Sequence, residues 1–262
     1  GLRAEAMQRI VKARTPKIDK NPTERMKCLN LKTHPIGRGI VLRMDIGIIF
    51  DWDGVVVDSS AAHEESWERL ARAEKRVLPP DHFKRGFGRK NTVIIPEILG
   101  WAHEPAEIRR LSLQKEYLYR EILKEKPPVA LPGVRALLHS LKTRGVLAVV
   151  GSSTDRANIL TCMDALDLHA YFADIVSAED VTHGKPHPEV FVKAAARIDR
   201  LPAHCAVLED SFAGLEAARA GGMKAIGVAT THPLESLRGK ADLAVRRLTD
   251  LSFEAVEALL RA

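Results

Sequence analysis

From residue 45 to residue 262, short apolar runs alternate with longer amphipathic stretches. The runs at 45–50, 146–150, 205–208 and 225–228 are nearly continuous in aliphatic residues and too short to be helices. That pattern predicts strands buried on both faces, as in a parallel sheet. Shorter runs near Ile175 and Leu243 extend the same sheet. Between the runs, residues 154–166, 188–198, 212–220 and 253–260 carry apolar side chains at three- and four-residue steps, the period of a helix with one buried face. Gly221-Gly222 supplies a stop for the third of these helices. The alternation predicts an α/β fold, a Rossmann-like parallel sheet flanked by helices.

One segment departs from the alternation. Residues 61–129 have no strand signal and read as helices joined by polar turns. Pro127-Pro128 and Pro132-Gly133 then return the chain to the alternating pattern. The expected organisation is a core of residues 44–60 and 130–262 with an α-helical cap domain, 61–129, inserted on hinges at 58–61 and 126–133. Within the insertion, Ile108, Leu111, Leu118 and Ile122 form an apolar stripe, and Lys115 falls where the stripe expects an apolar residue. Such a lysine either snorkels along the stripe to water or turns into the cleft between the two parts. His63 shares a helix face with Trp67 and Leu70, which suits a packing histidine as well as a functional one.

Composition narrows the function without deciding it. At 45% hydrophobic and 28% charged residues the chain is ordinary globular material, and no apolar run approaches the ~18 residues of a membrane-spanning helix. Cys28, Cys162 and Cys205 form no paired motif and read as buried thiols of a reducing compartment, so the cytoplasm is the expected location. The net charge of +6 suggests nucleic acid until it is located. Residues 1–43 hold 11 Lys and Arg against 3 Asp and Glu, whereas the rest of the chain holds 29 against 31. The basicity therefore belongs to an N-terminal arm without aromatic residues, expected to be a solvated or non-native leader that ends before Met44. Binding of nucleic acid or an anionic surface through this arm is the remote alternative, and no membrane partner is expected.

Four polar clusters follow the strands. The first strand runs into Asp51-Trp52-Asp53-Gly54, two carboxylates at a turn that the glycine permits. A calcium loop is excluded because the glycine is fourth and a strand precedes it. The second strand ends in Gly151-Ser152-Ser153, with hydroxyls and backbone amides suited to an anion; an ordinary helix cap is the plainer reading. Lys185 stands on a proline-flanked turn, and Leu208 is followed by the adjacent carboxylates Glu209 and Asp210. In an open parallel sheet these clusters share the carboxyl rim of the strands, where ligands bind. Carboxylates there suit a hard cation such as Mg²⁺, and a lysine with backbone amides suits phosphate oxygens.

The segments FDWDGVVVDS, VVGSST, GKPHP and LEDSFAGLEAARAGG, in this order, resemble the four motifs of the haloacid dehalogenase superfamily. The helical insertion resembles the cap of its β-phosphoglucomutase and small-sugar-phosphatase branch, and the likeness spans 45 to about 260. The resemblance implies that Asp51 is a nucleophile forming an aspartyl-phosphate and that Asp53 is the general acid and base. It implies Mg²⁺ held by Asp51, the Asp53 carbonyl and Asp210, with Glu209 nearby. Ser152, Ser153 and Lys185 would hold the phosphoryl group. His63 would lie near Asp53, and Lys115 and Arg89 would face substrate from the cap, Arg89 at the place of an arginine that meets a distal phosphate. After the second motif a mutase of this branch would carry a basic residue and an asparagine, whereas this chain has Asp155 and Arg156. The expected activity is therefore Mg²⁺-dependent hydrolysis of a small phosphorylated metabolite, a sugar phosphate by analogy, with a phosphosugar mutase as the alternative. A monomer is the default oligomeric state.

Overall fold

The computed structural model describes residues 45–262 except Phe87; the basic arm and Cys28 lie outside the described residues. The strands β1 (Gly47–Phe50), β2 (Leu147–Gly151), β3 (Phe172–Val176), β4 (Cys205–Glu209), β5 (Lys224–Val228) and β6 (Leu243–Val245) form one sheet in the order β3-β2-β1-β4-β5-β6. Every pairing is parallel. The chain moves outward from β1 to β3, then returns to place β4 on the other side of β1. This reversal opens a crevice beyond the carboxyl ends of β1 and β4. The first strand begins two residues later than its apolar run suggests, with Ile46 packed against the core from outside the ladder.

Seven longer helices occur among the described residues, α1 (Ser60–Glu74) and α2 (Pro105–Glu125) in the inserted stretch and α3 (Val134–Thr143), α4 (Arg156–Leu166), α5 (Glu189–Arg197), α6 (Phe212–Ala220) and α7 (Phe253–Arg261) around the sheet. The period-two alternation of the strands sorts their side chains. Ile48, Phe50, Val150 and Leu208 pack with Leu138 of α3, Ile159 of α4 and Val256 of α7, while Ile49, Val149 and Val207 pack with Phe191 of α5 and Leu215 of α6. Local chemistry sets where helices start. Asp155 accepts from the Ala157 amide (3.0 Å), so α4 begins at Arg156 and not at residue 154. Ser211 accepts from the Gly214 amide (3.1 Å) and opens α6.

Between β1 and α3 the chain is helical and has no strand among the described residues. Trp67, Leu70, Ile95, Leu99, Trp101 and Leu111 make an apolar cluster of their own there, with Trp67 and Trp101 edge to face at 6.1 Å. The segments entering and leaving this stretch meet: Val57 bridges Ala130, and the Leu131 amide donates to the Val56 carbonyl (3.0 Å). Cys162 and Cys205 are buried and unpaired, and burial pushes their thiols up to about 12 and about 11. No helix among the described residues is long and apolar enough to cross a membrane.

Candidate active site

The ends of β1 and β4 bring three carboxylates together. The Asp51 amide donates to the Leu208 carbonyl (3.0 Å), which ties the residue after β1 to the neighbouring strand. One carboxylate oxygen each from Asp51, Glu209 and Asp210 lies within 4.8 Å of the others, and all three residues are buried. Two glycines make room for this. Gly54 has φ +77°, and a Cβ there would come within 2.0 Å of the Asp210 Oδ2. A Cβ on Gly214 would come within 2.0 Å of the Glu209 Cδ.

Lys185 is the cation in this cluster, with Nζ 2.9 Å from the Asp51 Oδ1 and 2.7 Å from the Glu209 Oε2. Burial opposes its charge, but Asp51 and Glu209 outweigh burial and keep it protonated well above the usual lysine range. Glu209 is saturated, because its other oxygen accepts from the Ser211 amide (2.9 Å) and hydroxyl (2.6 Å). Asp210 accepts from the Thr231 hydroxyl. Burial, and then the neighbouring carboxylates, push Asp51 up to about 7 and Asp210 well above the carboxylate range. Three buried carboxylates against one ammonium leave an excess of negative charge. An all-oxygen cluster of that kind fits a hard divalent cation, with Asp51 and Asp210 better able to ligate than the saturated Glu209.

Asp53 has different neighbours. Its Oδ1 accepts from the Ser59 hydroxyl (2.5 Å) and lies 3.4 Å from the His63 Nε2; its Oδ2 accepts from the Thr154 hydroxyl. Burial works against its charge, but His63 and the two hydroxyls outweigh it and hold Asp53 down to about 2. Two carboxylates two residues apart thus differ widely in proton affinity, Asp51 the higher and Asp53 the lower, and a cation at the cluster would lower the first as an anionic ester beside Asp53 would raise the second. Nearby, the Ser152 amide is committed to the Val176 carbonyl (2.9 Å), because it continues the β2–β3 ladder. The Ser152 hydroxyl accepts from the Thr154 amide (3.1 Å), so of the donors expected to meet an anion there the Ser152 hydroxyl proton and the Ser153 amide remain.

Across from these residues lies the helical stretch. Asp51, Asp53, Ser152, Ser153, Lys185 and Asp210 share a cavity of about 430 Å³ with His63, Arg89 and Lys115. Lys115 is 2% exposed, so it does not snorkel to water. Its Nζ lies 2.7 Å from the His63 Nδ1 and 3.1 Å from the Glu116 Oε1. The His63 ring stacks on Tyr119 at 4.1 Å, so packing and polar contact are both satisfied. Glu116, also buried, accepts from Asn91 (2.7 Å) and from Asn158 of α4 (2.5 Å). Arg89 stands exposed on the cavity wall. Arg156 does not line the cavity; its guanidinium is held by Asp180 (2.6 Å) and the Ile175 carbonyl (2.8 Å).

Of the site residues expected from the sequence, Asp51, Asp53, His63, Arg89, Lys115, Ser152, Ser153, Lys185 and Asp210 reach one cavity, whereas Glu209 stands behind Lys185. Sequence reasoning missed Ser59, Thr154, Thr231, Glu116 and Asn158. Ser59 and Thr154 lie inside the quoted motifs and had a signal, whereas Thr231, Glu116 and Asn158 arrive only through tertiary packing.

A sequence profile described as haloacid dehalogenase-like hydrolase matches residues 47–222. The chain is 34% identical over 215 residues to β-phosphoglucomutase of Bacillus subtilis, covering 79% of this chain and 92% of that protein. It is 33% identical over 216 residues to the chloroplastic 5-amino-6-(5-phospho-D-ribitylamino)uracil phosphatase of Arabidopsis thaliana, covering 79% of this chain. The match spans 56% of that relative's length. Among solved structures, β-phosphoglucomutase from Clostridium difficile superimposes with a TM-score of 0.74 at 26% identity, covering 83% of this chain and 98% of that one.

Proposed function

The chain belongs to the haloacid dehalogenase-like hydrolases, and from that membership we propose that it hydrolyses the phosphate ester of a small metabolite through Asp51. The observation that carries the proposal is the opposite setting of two neighbouring carboxylates on one cavity, Asp51 against Lys185 and Asp53 against His63, Ser59 and Thr154. In the first step an Asp51 oxygen bonds to phosphorus as the bond from phosphorus to the leaving oxygen breaks. Asp53 gives that oxygen its proton. The dianionic ester arriving beside Asp53 raises its proton affinity from the low value it has alone. In the second step water attacks phosphorus, its proton passes to Asp53, and Asp51 leaves as a carboxylate with release of inorganic phosphate. Lys185 and Ser152 hold the phosphoryl oxygens. Mg²⁺ held by Asp51, the Asp53 carbonyl and Asp210 supplies charge that offsets repulsion between the anionic nucleophile and its anionic substrate. In this reading the helical stretch 61–129 works as a cap that covers the crevice and selects the leaving group.

The named relatives act on phosphorylated compounds that contain a sugar or a ribityl chain. A sugar or polyol monophosphate is accordingly the proposed substrate class. The test is a panel of such esters with Mg²⁺, scored by kcat/KM. Phosphate release from at least one ester that is lost in EDTA is expected; no release from any, or full activity in EDTA, contradicts the reading. The likeness to β-phosphoglucomutases favours a second reading as a mutase. It is disfavoured by Asp155 and by Arg156, whose side chain is engaged away from the cavity. Conversion of β-glucose 1-phosphate to glucose 6-phosphate, with a trace of glucose 1,6-bisphosphate and without free phosphate, would establish it instead.

A further inference from the structure

We infer that the part of the cavity facing away from Asp51 rejects a second phosphate and that Glu116 is the residue that decides it. The substrate is then an ester with one phosphate, whose remainder offers hydrogen-bond donors and no second anion. This rests on the phosphatase reading and narrows it.

A second phosphate needs cations with unspent donors. Five basic side chains stand on or behind that part of the cavity, and four are committed. Lys115 has three protons. One faces the His63 Nδ1 (2.7 Å) and the others face the Glu116 oxygens (3.1 and 3.3 Å). Lys90 donates to the carbonyls of Ala178 (3.1 Å) and Val181 (2.8 Å). Arg120 donates to the Asn158 Oδ1 (2.9 Å) and lies 3.6 Å from Asp155, and Arg156 is bound to Asp180. Only Arg89, exposed on the wall, has no such partner among the described residues.

Glu116 decides the outcome because Lys115 is the cation that would otherwise meet an anionic group deep in the cavity. Burial opposes the charge of Glu116, but Lys115, His63, Asn158 and Asn91 outweigh burial and keep the carboxylate ionised. The Lys115–Glu116 pair is therefore neutral as a unit, and its own partners hold it in place. Asp155 and Glu179 also line the cavity, and each uses part of its carboxylate on a backbone amide at the start of α4. An incoming second phosphate would face these carboxylates with the Arg89 guanidinium alone among the five cations uncommitted, since the Lys90 ammonium is turned to carbonyls, and like charges across an interface cost binding. Hydroxyl and amine groups would meet acceptors instead.

The experiment measures competitive inhibition of p-nitrophenyl phosphate hydrolysis by two matched pairs, glucose 6-phosphate with glucose 1,6-bisphosphate and fructose 6-phosphate with fructose 1,6-bisphosphate. In the wild-type protein each bisphosphate should bind about tenfold or more weakly than its partner. Glu116→Gln frees Lys115 and should bring the ratio toward one. Asp155→Asn, in which the side chain still caps α4, should move it the same way by a smaller factor. Glu116→Asp should keep the wild-type ratio. A purely structural role for Glu116 would weaken both members equally. Bisphosphates binding as well as monophosphates, a ratio unmoved by Glu116→Gln, or no inhibition by either monophosphate would overturn the inference. Failure to hydrolyse p-nitrophenyl phosphate at all would count against the phosphatase reading itself, and the inference would fall with it.

Discussion

Asp51 and Asp53 are chemically identical, and their surroundings make them different. Asp51 faces Lys185 and two further carboxylates in a buried cluster, whereas Asp53 has a histidine and two hydroxyls. The pair was legible in the sequence because a strand, a turn and two carboxylates are local features. The hydroxyl of Thr154 was not, since it reaches Asp53 from the next strand's loop. Its contribution can be isolated: Thr154→Val keeps the shape and removes one donor from Asp53. A lost hydrogen bond to a charged group corresponds to about 1.5–3 kcal/mol. The expected result is a fall in kcat of roughly tenfold to a hundredfold with little change in KM, read by steady-state phosphate release. An unchanged kcat would mean that Thr154 does not act on Asp53 during turnover.

At the scale of elements, the four inner strands were legible because burial on both faces leaves continuous apolar runs, and the half-exposed edge strands β3 and β6 only as shorter runs. Boundaries moved where a single side chain intervened, as when Asp155 capped α4. The helical stretch was legible as helical but not in its detail. Pro96 lies within a π-helical segment, Ile94–Leu99, and apolar periodicity does not report that widening. The packing of α6 against the end of β4 yields a prediction in which two effects compete. Gly214→Ala raises helix propensity by up to about 1 kcal/mol. Yet the new methyl would sit 2.0 Å from the Cδ of a fully buried Glu209 that cannot withdraw. Overpacking of this kind costs about 1–3 kcal/mol, so the clash should win. Denaturant unfolding should show a net loss, and turnover should fall because Glu209 holds Lys185. A stabilised and fully active Gly214→Ala protein would contradict the packing described here.

For the whole molecule, the order of the strands was beyond the sequence, yet it is what brings the residue after β1 beside those after β4. The convergence concentrates negative charge, and that has a consequence for stability. Asp51 is pushed up to about 7 in the folded chain, mainly by burial, against an unfolded value near 3.8. Between these values the folded state binds more protons than the unfolded one, so this group's contribution to stability falls as pH rises from about 4 to about 7. Without divalent cation, the thermal midpoint should therefore drop as pH is raised from 5 to 7, and Asp51→Asn should flatten that slope. Mg²⁺ should raise the midpoint more at pH 7.5 than at pH 5, because bound cation favours the ionised carboxylates. A midpoint indifferent to Mg²⁺ at pH 7.5 would count against a cation site at this cluster.

In the proposed reaction the phosphoryl group passes through Asp51. The most direct measurement is mass spectrometry of the protein quenched in acid during turnover of a phosphate ester with Mg²⁺, followed by proteolysis. One phosphoryl group is expected on the peptide that contains Asp51, gained and lost at rates consistent with kcat, and none in Asp51→Asn. Steady turnover by the wild-type protein without any phosphorylated Asp51 peptide, or undiminished turnover by Asp51→Asn, would contradict this route.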